Sequence, residues 1–257
     1  MAINCFSYNI RGSSCSAFHF YDTWNYRKDS IAKLISLFDL DLICFQEDDF
    51  KMYSFLKKKL KNFQSYGFNS MAKPLGGSEF NSVFFNSRKL RVLSKGGFFF
   101  SDTPFKPSKF YGMNYYRSCT WIRFFNKVSK KLFYIFNLHL DNNASDQTQI
   151  KCLRVLFEKI KSIAKNESFV VVGDFNFKPT SRAYKKICAV LALSSPVKGE
   201  SVVAWGLKPG MKSVVDYVFA SDKKMVKNCG FVNAKIYRGG GKRYSSDHKP
   251  LKFQFLV

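Results

Sequence analysis

Acidic residues are scarce in this sequence: 18 Asp and Glu stand against 42 Lys and Arg, which gives a formal net charge of +24. An electrostatic field of that sign concentrates polyanions such as nucleic acids or acidic lipid headgroups. A general compositional preference for Lys is the alternative explanation, because the Lys residues are spread along the whole chain. The scarcity also means that carboxylates recurring at similar positions are more informative than usual.

Several other features are absent. No apolar run reaches 18 residues, and the N-terminal MAINCFSYNIRG lacks a basic region followed by a long apolar stretch. We therefore expect no transmembrane segment and no standard secretory signal, and we predict a soluble, cytoplasmic, monomeric protein. The seven cysteines form no C-x-x-C pair and lie mostly in apolar segments, which favours free thiols in a reducing compartment over zinc ligands or a nucleophile.

No linker, low-complexity tract or fixed-period repeat divides the chain, so the sequence predicts one domain over residues 1–257. Apolar runs typical of strands are INCFSYNI, DLICFQ, NSVFF, SCTWIRFF, KLFYIFNLHL, SFVVVGDF, SVVDYVFA and PLKFQFLV. Apolar residues at every third or fourth position predict helices in RKDSIAKLISLF and QTQIKCLRVLFEKIKSIA, and with less regular spacing in DFKMYSFLKKKLKNF and SRAYKKICAVLAL. The expected fold is α/β, with two packed sheets and helices on the outside.

Polar residues recur where these apolar runs stop. They are Asn9 and Arg11 in YNIRG, Gln46 and Glu47 in FQE, His139 in NLHLD, Asp174 and Asn176 in GDFN, Asp216 in VVDYVF, and Asp247 and His248 in SDHKPL. Polar groups delivered repeatedly to strand ends indicate a shared site at one edge of a sheet. Ordinary turn chemistry is the alternative for GDFN and SDH taken alone, whereas a carboxylate inside an apolar run is costly unless it is paired.

The chemistry of this set suits a hard cation. Four carboxylates occur with side-chain amides and only two histidines, and oxygen-rich sets of this kind favour Mg²⁺ or Mn²⁺ over zinc. Phosphoryl transfer needs a cation, a base that orients water, and donors for the charge that develops on the phosphate oxygens. The residue types therefore indicate a metal-dependent phosphoesterase.

Taken together and in this order, the motifs resemble the endonuclease/exonuclease/phosphatase superfamily, which has the DNase I-like fold. WNYRKDSIAKLI and RSCTWIRF are similar to segments of its bacterial branch. The resemblance implies a four-layer α/β sandwich, in which two mixed or antiparallel sheets pack face to face with helices outside. It also implies a Mg²⁺-dependent phosphoesterase, with Mn²⁺ as an alternative metal, that hydrolyses its substrate by direct attack of water.

The resemblance further implies a role for each residue of the set. Glu47 is expected to ligate the metal, with Asn9 and Asp247 close to it. Asp174, assisted by Asn176, is expected to orient or deprotonate the attacking water. His139, and His248 paired with Asp216, are expected to contact the scissile phosphate; which of the two acts as an acid stays open.

Two arginines are expected to bind the substrate phosphate, Arg11 and Arg117, because both follow or precede strands near the same edge. Arg11 stands where the abasic-site endonucleases of the superfamily carry an acidic residue, and His139 stands where they carry Tyr. These differences favour the DNase I, deadenylase and lipid-phosphatase branches.

The sequence favours a nuclease acting on DNA or RNA. The chain is strongly basic, and KPSKFYGMNYYR interleaves aromatic with basic residues, as surfaces that stack bases do, although a packed loop is the alternative for this stretch. A phosphatase of phosphoinositides, inositol phosphates or other small phosphorylated molecules is the alternative function, since a basic rim serves it equally. A catalytically inactive binding module is the third interpretation, and the full set of polar residues argues against it.

Overall fold

A computed structural model describes residues 2–15, 19–69, 79–195, 199–203, 213–233, 235–238 and 240–257. The helices are α1 (Trp24–Ser36), α2 (Phe50–Lys59), α3 (Asp146–Ala164) and α4 (Arg182–Cys188). The strands are β1 (Ala2–Asn9), β2 (Leu42–Gln46), β3 (Phe63–Asn69), β4 (Phe80–Asn86), β5 (Leu90–Phe99), β6 (Ser118–Asn126), β7 (Leu132–His139), β8 (Phe169–Asp174), β9 (Ala192–Leu193), β10 (Asp216–Ala220), β11 (Val226–Phe231), β12 (Ile236–Arg238), β13 (Gly241–Arg243) and β14 (Leu251–Leu256).

Two six-stranded sheets form the body of the protein. The strand order is β11-β14-β1-β2-β4-β3 in the first sheet and β5-β6-β7-β8-β10-β9 in the second. Each sheet is mixed, because β1 pairs in parallel with β2, and β7 with β8, while the neighbouring pairs are antiparallel. The two parallel pairs matter for function, since they bring the carboxyl ends of four strands to one end of the molecule.

Alternation along the strands explains the layers. On β1, Ile3 and Cys5 belong to the core between the two sheets, whereas Phe6 and Tyr8 belong to the core beneath α1 and α2. On the second sheet, residues such as Val170 face the first sheet, and Val171 packs in the core beneath α3 and α4. Successive side chains of a strand point to opposite faces, so strands buried on both faces read as continuous apolar runs. The result is a helix–sheet–sheet–helix sandwich, which confirms the predicted fold class.

The eight predicted strands and four predicted helices are all present, with boundaries that shift by a few residues. Six strands were not predicted: β3, β5, β9 and β11 are the edge strands of the two large sheets, and β12 and β13 pair with each other. Edge strands are covered on fewer sides, and β5 in particular is buried only at its two ends, while its middle, which contains Lys-Gly-Gly, is exposed or half-buried. Among the described residues no helix is both long and apolar enough to cross a membrane. The single-domain expectation stays a prediction.

A buried polar bridge joins the two sheets beneath the strand ends. The Asn137 amide on β7 donates to the backbone oxygens of Phe45 (2.8 Å) and Ser82 (3.0 Å), and its oxygen accepts from Gln46 Nε2 at 2.7 Å. Because these groups are fully buried, each unmade hydrogen bond would cost the desolvation of that group. The bridge therefore fixes the end of β2 against the end of β7, and with it the relative position of the side chains that follow each strand.

A buried arginine performs a similar task at the end of β1. Arg27, on α1, is almost fully buried, and its guanidinium donates to the backbone oxygens of Ile10, Arg11, Asp22 and Ser245 at 2.7–3.1 Å. Only a planar group with several fixed donors can satisfy so many carbonyls at once. The segment after β1 is thereby tied to the loop that precedes β14.

Candidate active site

The polar residues predicted from the strand ends meet at one edge of the sandwich. In the second sheet, His139 lies opposite Asp174 in the β7–β8 register, and Asp216 lies opposite Asp174 in the β10–β8 register. In the first sheet, Asn9 lies opposite Gln46, so Glu47 follows directly at the same edge. Residues that are far apart in sequence therefore face one another across the gap between the two sheets.

Gly173 allows β7 and β8 to approach closely just before Asp174. Its φ is +139°, and a Cβ built at this position would lie 1.9 Å from the carbonyl oxygen of Leu138. Glycine has no side chain to clash with that oxygen, and it tolerates this φ. The Gly-Asp pair of the GDFN motif therefore places the Asp174 carboxylate against the end of β7.

We expect Gly173→Ala to destabilise the protein by more than about 3 kcal/mol, because the two strands must separate to make room for the methyl group. Urea denaturation followed by circular dichroism measures the loss, with Gly230→Ala as a control, since its Cβ would meet nothing within 4 Å. An unfolding free energy for Gly173→Ala within error of the wild type would contradict this packing.

Three residues of the site have backbone conformations that favour glycine. The φ angles are +55° at Arg11, +63° at Glu47 and +52° at Asn176, each one or two residues beyond a strand end. Non-glycine residues in this region cost free energy that the surrounding structure must offset. Of the six non-glycine residues with positive φ in the described part of the chain, these three lie where three strands deliver side chains to the same space.

Asn9 connects the two sheets at the centre of the site. Its side-chain Nδ2 donates to Glu47 Oε1 at 2.8 Å and to Asp174 Oδ2 at 3.0 Å, while its Oδ1 accepts from the backbone N–H of Arg11. The second oxygen of Glu47 accepts from the backbone N–H of Gly12 at 2.9 Å. The amide thus holds two carboxylates in fixed positions a few ångströms apart.

His248 and Asp216 form a buried pair. His248 Nδ1 lies 2.8 Å from Asp216 Oδ2, and its Nε2 points into the site, 3.7 Å from Asp174 Oδ2. Burial disfavours the charged ring, but Asp216 and Asp174 outweigh it and raise the pKa of His248 well above its ordinary value. These carboxylates favour the protonated form of the ring, in which Nε2–H is a donor directed into the site.

Asp174 is the most central carboxylate. Burial, followed by the neighbouring Asp216, raises its pKa to about 7, despite the opposing effects of His248 and the Asn9 amide. Its Oδ1 accepts the backbone N–H of Asn176 at 2.9 Å, which fixes the plane of the carboxylate. A carboxyl group with this pKa exchanges a proton near neutral pH, which is the requirement for a general base.

His139 lies between donors. Arg117 Nη1 is 2.8 Å from its Nδ1, and Asn176 Nδ2 is 3.0 Å from its Nε2. Burial, and next the Arg117 charge, hold the pKa of His139 well below its ordinary value. The surroundings therefore shift the pKa values of the two histidines in opposite directions: that of His248 upward and that of His139 downward.

Both arginines expected to bind phosphate are ion-paired. Arg11 Nη1 contacts Asp247 Oδ2, and Arg117 Nη1 donates to Glu79 Oε2 at 2.7 Å. The Ser246 hydroxyl donates to the backbone oxygen of Asn9, which holds the Asp247 loop against β1. Glu79 was missed by the sequence analysis, because it lies just outside β4 and acquires its partner only when β4 and β6 come together.

The other acidic residues near these motifs have structural contacts. Asp49 caps α2 by accepting the Met52 N–H at 2.9 Å, and Asp141 accepts the backbone N–H groups of Asn114 and Tyr115, each at 2.8 Å. His19, the third histidine, is exposed and stacks on Tyr21. None of these three residues belongs to the clusters of possible ligand atoms at the centre of the site.

Asp48 gives a pH-dependent prediction. It is fully buried, its Oδ2 has no hydrogen-bond partner, and burial raises its pKa to about 7 from an unfolded value near 4. The folded protein binds this proton more tightly, so the folded state loses stability as pH rises from about 4 to about 7. Replacing Asp48 by Asn removes this dependence. The free energy of unfolding of the variant, relative to that of the wild type, should therefore rise by roughly 2–4 kcal/mol between pH 4 and pH 8.

Urea denaturation at both pH values, with EDTA present, measures that gain. A variant–wild-type difference that stays constant with pH would contradict a buried, protonated Asp48.

The model of the Endonuclease/Exonuclease/phosphatase family matches residues 6–248. This chain belongs to the endonuclease/exonuclease/phosphatase family. Its structure superimposes on a family protein from Bacteroides thetaiotaomicron with a TM-score of 0.87 and 24% identity, covering 100% of this chain and 99% of that one.

Two further proteins are similar to this chain. A mannosyl-6-phosphatase from Bacteroides thetaiotaomicron is 25% identical, with a TM-score of 0.86, and covers 99% of this chain and 100% of its own. An uncharacterized protein of Acanthamoeba polyphaga mimivirus is 30% identical over 168 residues, which is 62% of this chain and 61% of that protein. The chain thus spans about three fifths of the length of the curated relative it matches.

Members of the endonuclease/exonuclease/phosphatase family are phosphoesterases that generally depend on a divalent metal, and the donor set fits one. Two groups of three side chains each bring their possible ligand atoms within 4.8 Å of one another: Glu47, His139 and Asp174 form the first group, and Asp174, Asp216 and His248 form the second. Burial, followed by the charge of Asp216, raises the pKa of Asp174, so keeping the ionised carboxylate there carries a free-energy cost. A cation held by carboxylate oxygens would relieve it.

Proposed function

We propose that this protein is a Mg²⁺-dependent phosphoesterase that hydrolyses its substrate by direct attack of water, and that it is a nuclease acting on DNA or RNA phosphodiesters. The observation that carries the reaction is the position of Asp174 Oδ2. It lies 3.0 Å from Asn9 Nδ2, 3.6 Å from His139 Nε2 and 3.7 Å from His248 Nε2. A group that can accept a proton is thus surrounded by groups that bind a phosphate.

The side chains divide the chemistry among them. Glu47, with Asn9 and Asp247 close by, would hold the cation, which supplies positive charge to a non-bridging phosphate oxygen. Asp174, oriented by Asn9 and the Asn176 backbone, takes a proton from the attacking water.

His248 is the second proton-carrying group. Asp216 fixes its Nδ1, so the Nε2–H is directed at the phosphate, where it stabilises the developing charge or protonates the leaving oxygen. Burial and the Arg117 charge hold the pKa of His139 below its ordinary value, so in this proposal His139 stabilises charge and His248 is the acid. Arg117 holds the His139 ring and adds positive charge behind it.

The nuclease assignment is supported by the charge of +24, which attracts a polyanion. The last turn of α2 alone carries Lys57, Lys58 and Lys59. Phosphatase action on a small phosphorylated molecule is the second candidate, and the similarity to a mannosyl-6-phosphatase favours it. The reaction is the same in both cases, and the groups flanking the phosphate differ.

A substrate panel separates the candidates. Single-stranded DNA, duplex DNA, RNA, sugar phosphates, inositol phosphates and phosphoinositides are incubated with Mg²⁺ at two salt concentrations. We expect cleavage of a polynucleotide, at a rate that falls at the higher salt concentration because phosphate contacts are screened. Release of phosphate from monoesters alone would overturn the nuclease assignment and leave the hydrolase in place.

A further inference from the structure

The segment 105–117, between β5 and β6, contains the aromatic and basic stretch singled out in the sequence, and its residues divide into two groups. Phe110 and Met113 are buried in the core beneath α3. Tyr111 is fully exposed, and Tyr115 is 48% exposed. The segment is therefore packed on one side and presents tyrosine rings to solvent on the other.

The segment is anchored to the strand that carries His139. Asp141, two residues after His139 and almost fully buried, accepts the backbone N–H groups of Asn114 and Tyr115 through the same oxygen, at 2.8 Å each. Lys109 Nζ donates to the backbone oxygens of Met113 (2.7 Å) and Asn114 (3.1 Å). These bonds fix the backbone of Tyr115, so the exposure of its ring does not come from a loose loop.

Arg117 connects the Tyr115 ring to His139 of the candidate active site. The Arg117 guanidinium carbon is 4.9 Å from the ring centroid, and Arg117 Nη1 is 2.8 Å from His139 Nδ1. His139 Nε2 is in turn 3.6 Å from Asp174 Oδ2. A group attached to the scissile phosphate on the His139 side would therefore lie next to Tyr115.

We propose that Tyr115 stacks on the base of the nucleotide that adjoins the scissile phosphate, and that the substrate is single-stranded nucleic acid. Stacking on an aromatic ring requires a base that is free of its own duplex, and it tolerates any base because each has a π-face. Arg117 on one side of the ring strengthens its attraction to an electron-rich base and keeps positive charge close to the phosphate. This inference rests on the proposed phosphoesterase activity and names its substrate class.

The test compares two oligomers with identical phosphates. One is a single-stranded thymidine decamer, and the other is a decamer of the same backbone whose sugars carry no base. The variants are Tyr115→Ala, Tyr115→Phe, which keeps the ring, and Phe105→Ala, which removes an exposed ring from the same segment at a position packed against Lys159. Cleavage is measured with Mg²⁺ as kcat/KM.

We expect the wild type to prefer the thymidine decamer. Tyr115→Ala should lower that preference by about 5- to 150-fold, the usual effect of removing one stacking ring, whereas Tyr115→Phe and Phe105→Ala should keep it. An equal loss of kcat/KM on both oligomers, or no loss on either, would overturn the inference. The Tyr115 ring would then only hold Arg117 in place, or would have no role in cleavage.

Two further outcomes separate this inference from the function on which it rests. Cleavage of sugar phosphates, or of phosphoinositides in phosphatidylcholine vesicles, without cleavage of either decamer overturns the single-strand proposal but keeps the phosphoesterase. Failure of the wild type to hydrolyse any of these phosphoesters with Mg²⁺ overturns the proposed function, and the inference with it.

Discussion

Asp174→Asn is expected to lower kcat for phosphoester hydrolysis by about 10²- to 10⁴-fold, the usual contribution of a general base. The amide has the same shape as the carboxylate, but it cannot accept the proton of the attacking water. Burial and the neighbouring Asp216 raise the pKa of Asp174 to about 7, which suits this role near neutral pH. Initial rates at saturating substrate measure the loss.

Asp29→Asn is the matched control for this change. Asp29 lies on α1 and pairs at the surface with Lys59 at 3.0 Å, so the same replacement there should leave kcat unchanged. The melting temperature of each variant shows that it is folded. A folded Asp174→Asn variant with a rate close to the wild type would remove Asp174 from the reaction.

His248→Ala is expected to cause a loss of similar size, about 10²- to 10⁴-fold in kcat. The substitution removes the protonated Nε2 that faces the site and leaves Asp216 without its partner at 2.8 Å. The chain has three histidines, and the exposed His19 provides the control, since His19→Ala should retain the wild-type rate.

A second measurement examines the charge of the ring. In the wild type, the imidazole of His248 should titrate above its ordinary pKa in a nuclear magnetic resonance titration, because Asp216 and Asp174 raise that pKa. Titration of His248 below its ordinary pKa would contradict the pairing, even if the alanine variant were inactive.

The sequence was sufficient to predict the fold and the residues that meet at its edge. Asp216 shows why: a carboxylate inside the apolar VVDYVF run must find a partner, and it does so in His248. Continuous apolar runs identified the strands that are buried on both faces, and the polar residues that ended them indicated a common edge. The order of these motifs along the chain then resembled that of a known superfamily, which implied a role for each residue of the set.

The contacts that hold the site together could not be read from the sequence. Asn137 and Arg27 satisfy backbone carbonyls from distant segments, and their local sequences do not identify those partners. Pairing of Arg11 with Asp247, and of Arg117 with Glu79, depends on how loops from different strands approach each other. Positive φ angles at Arg11 and Glu47 likewise follow from the tertiary structure, which overrides the local preference.

The central claim is that a divalent cation and the side chains at this edge hydrolyse a phosphoester together. The most direct test is the rate at which the wild-type protein hydrolyses an aryl phosphate diester with Mg²⁺, after excess EDTA, and after Mg²⁺ is restored. We predict hydrolysis with Mg²⁺, its loss after chelation and its return with the metal. A rate that persists unchanged in EDTA, or hydrolysis that never occurs in the folded protein with Mg²⁺, would contradict the claim.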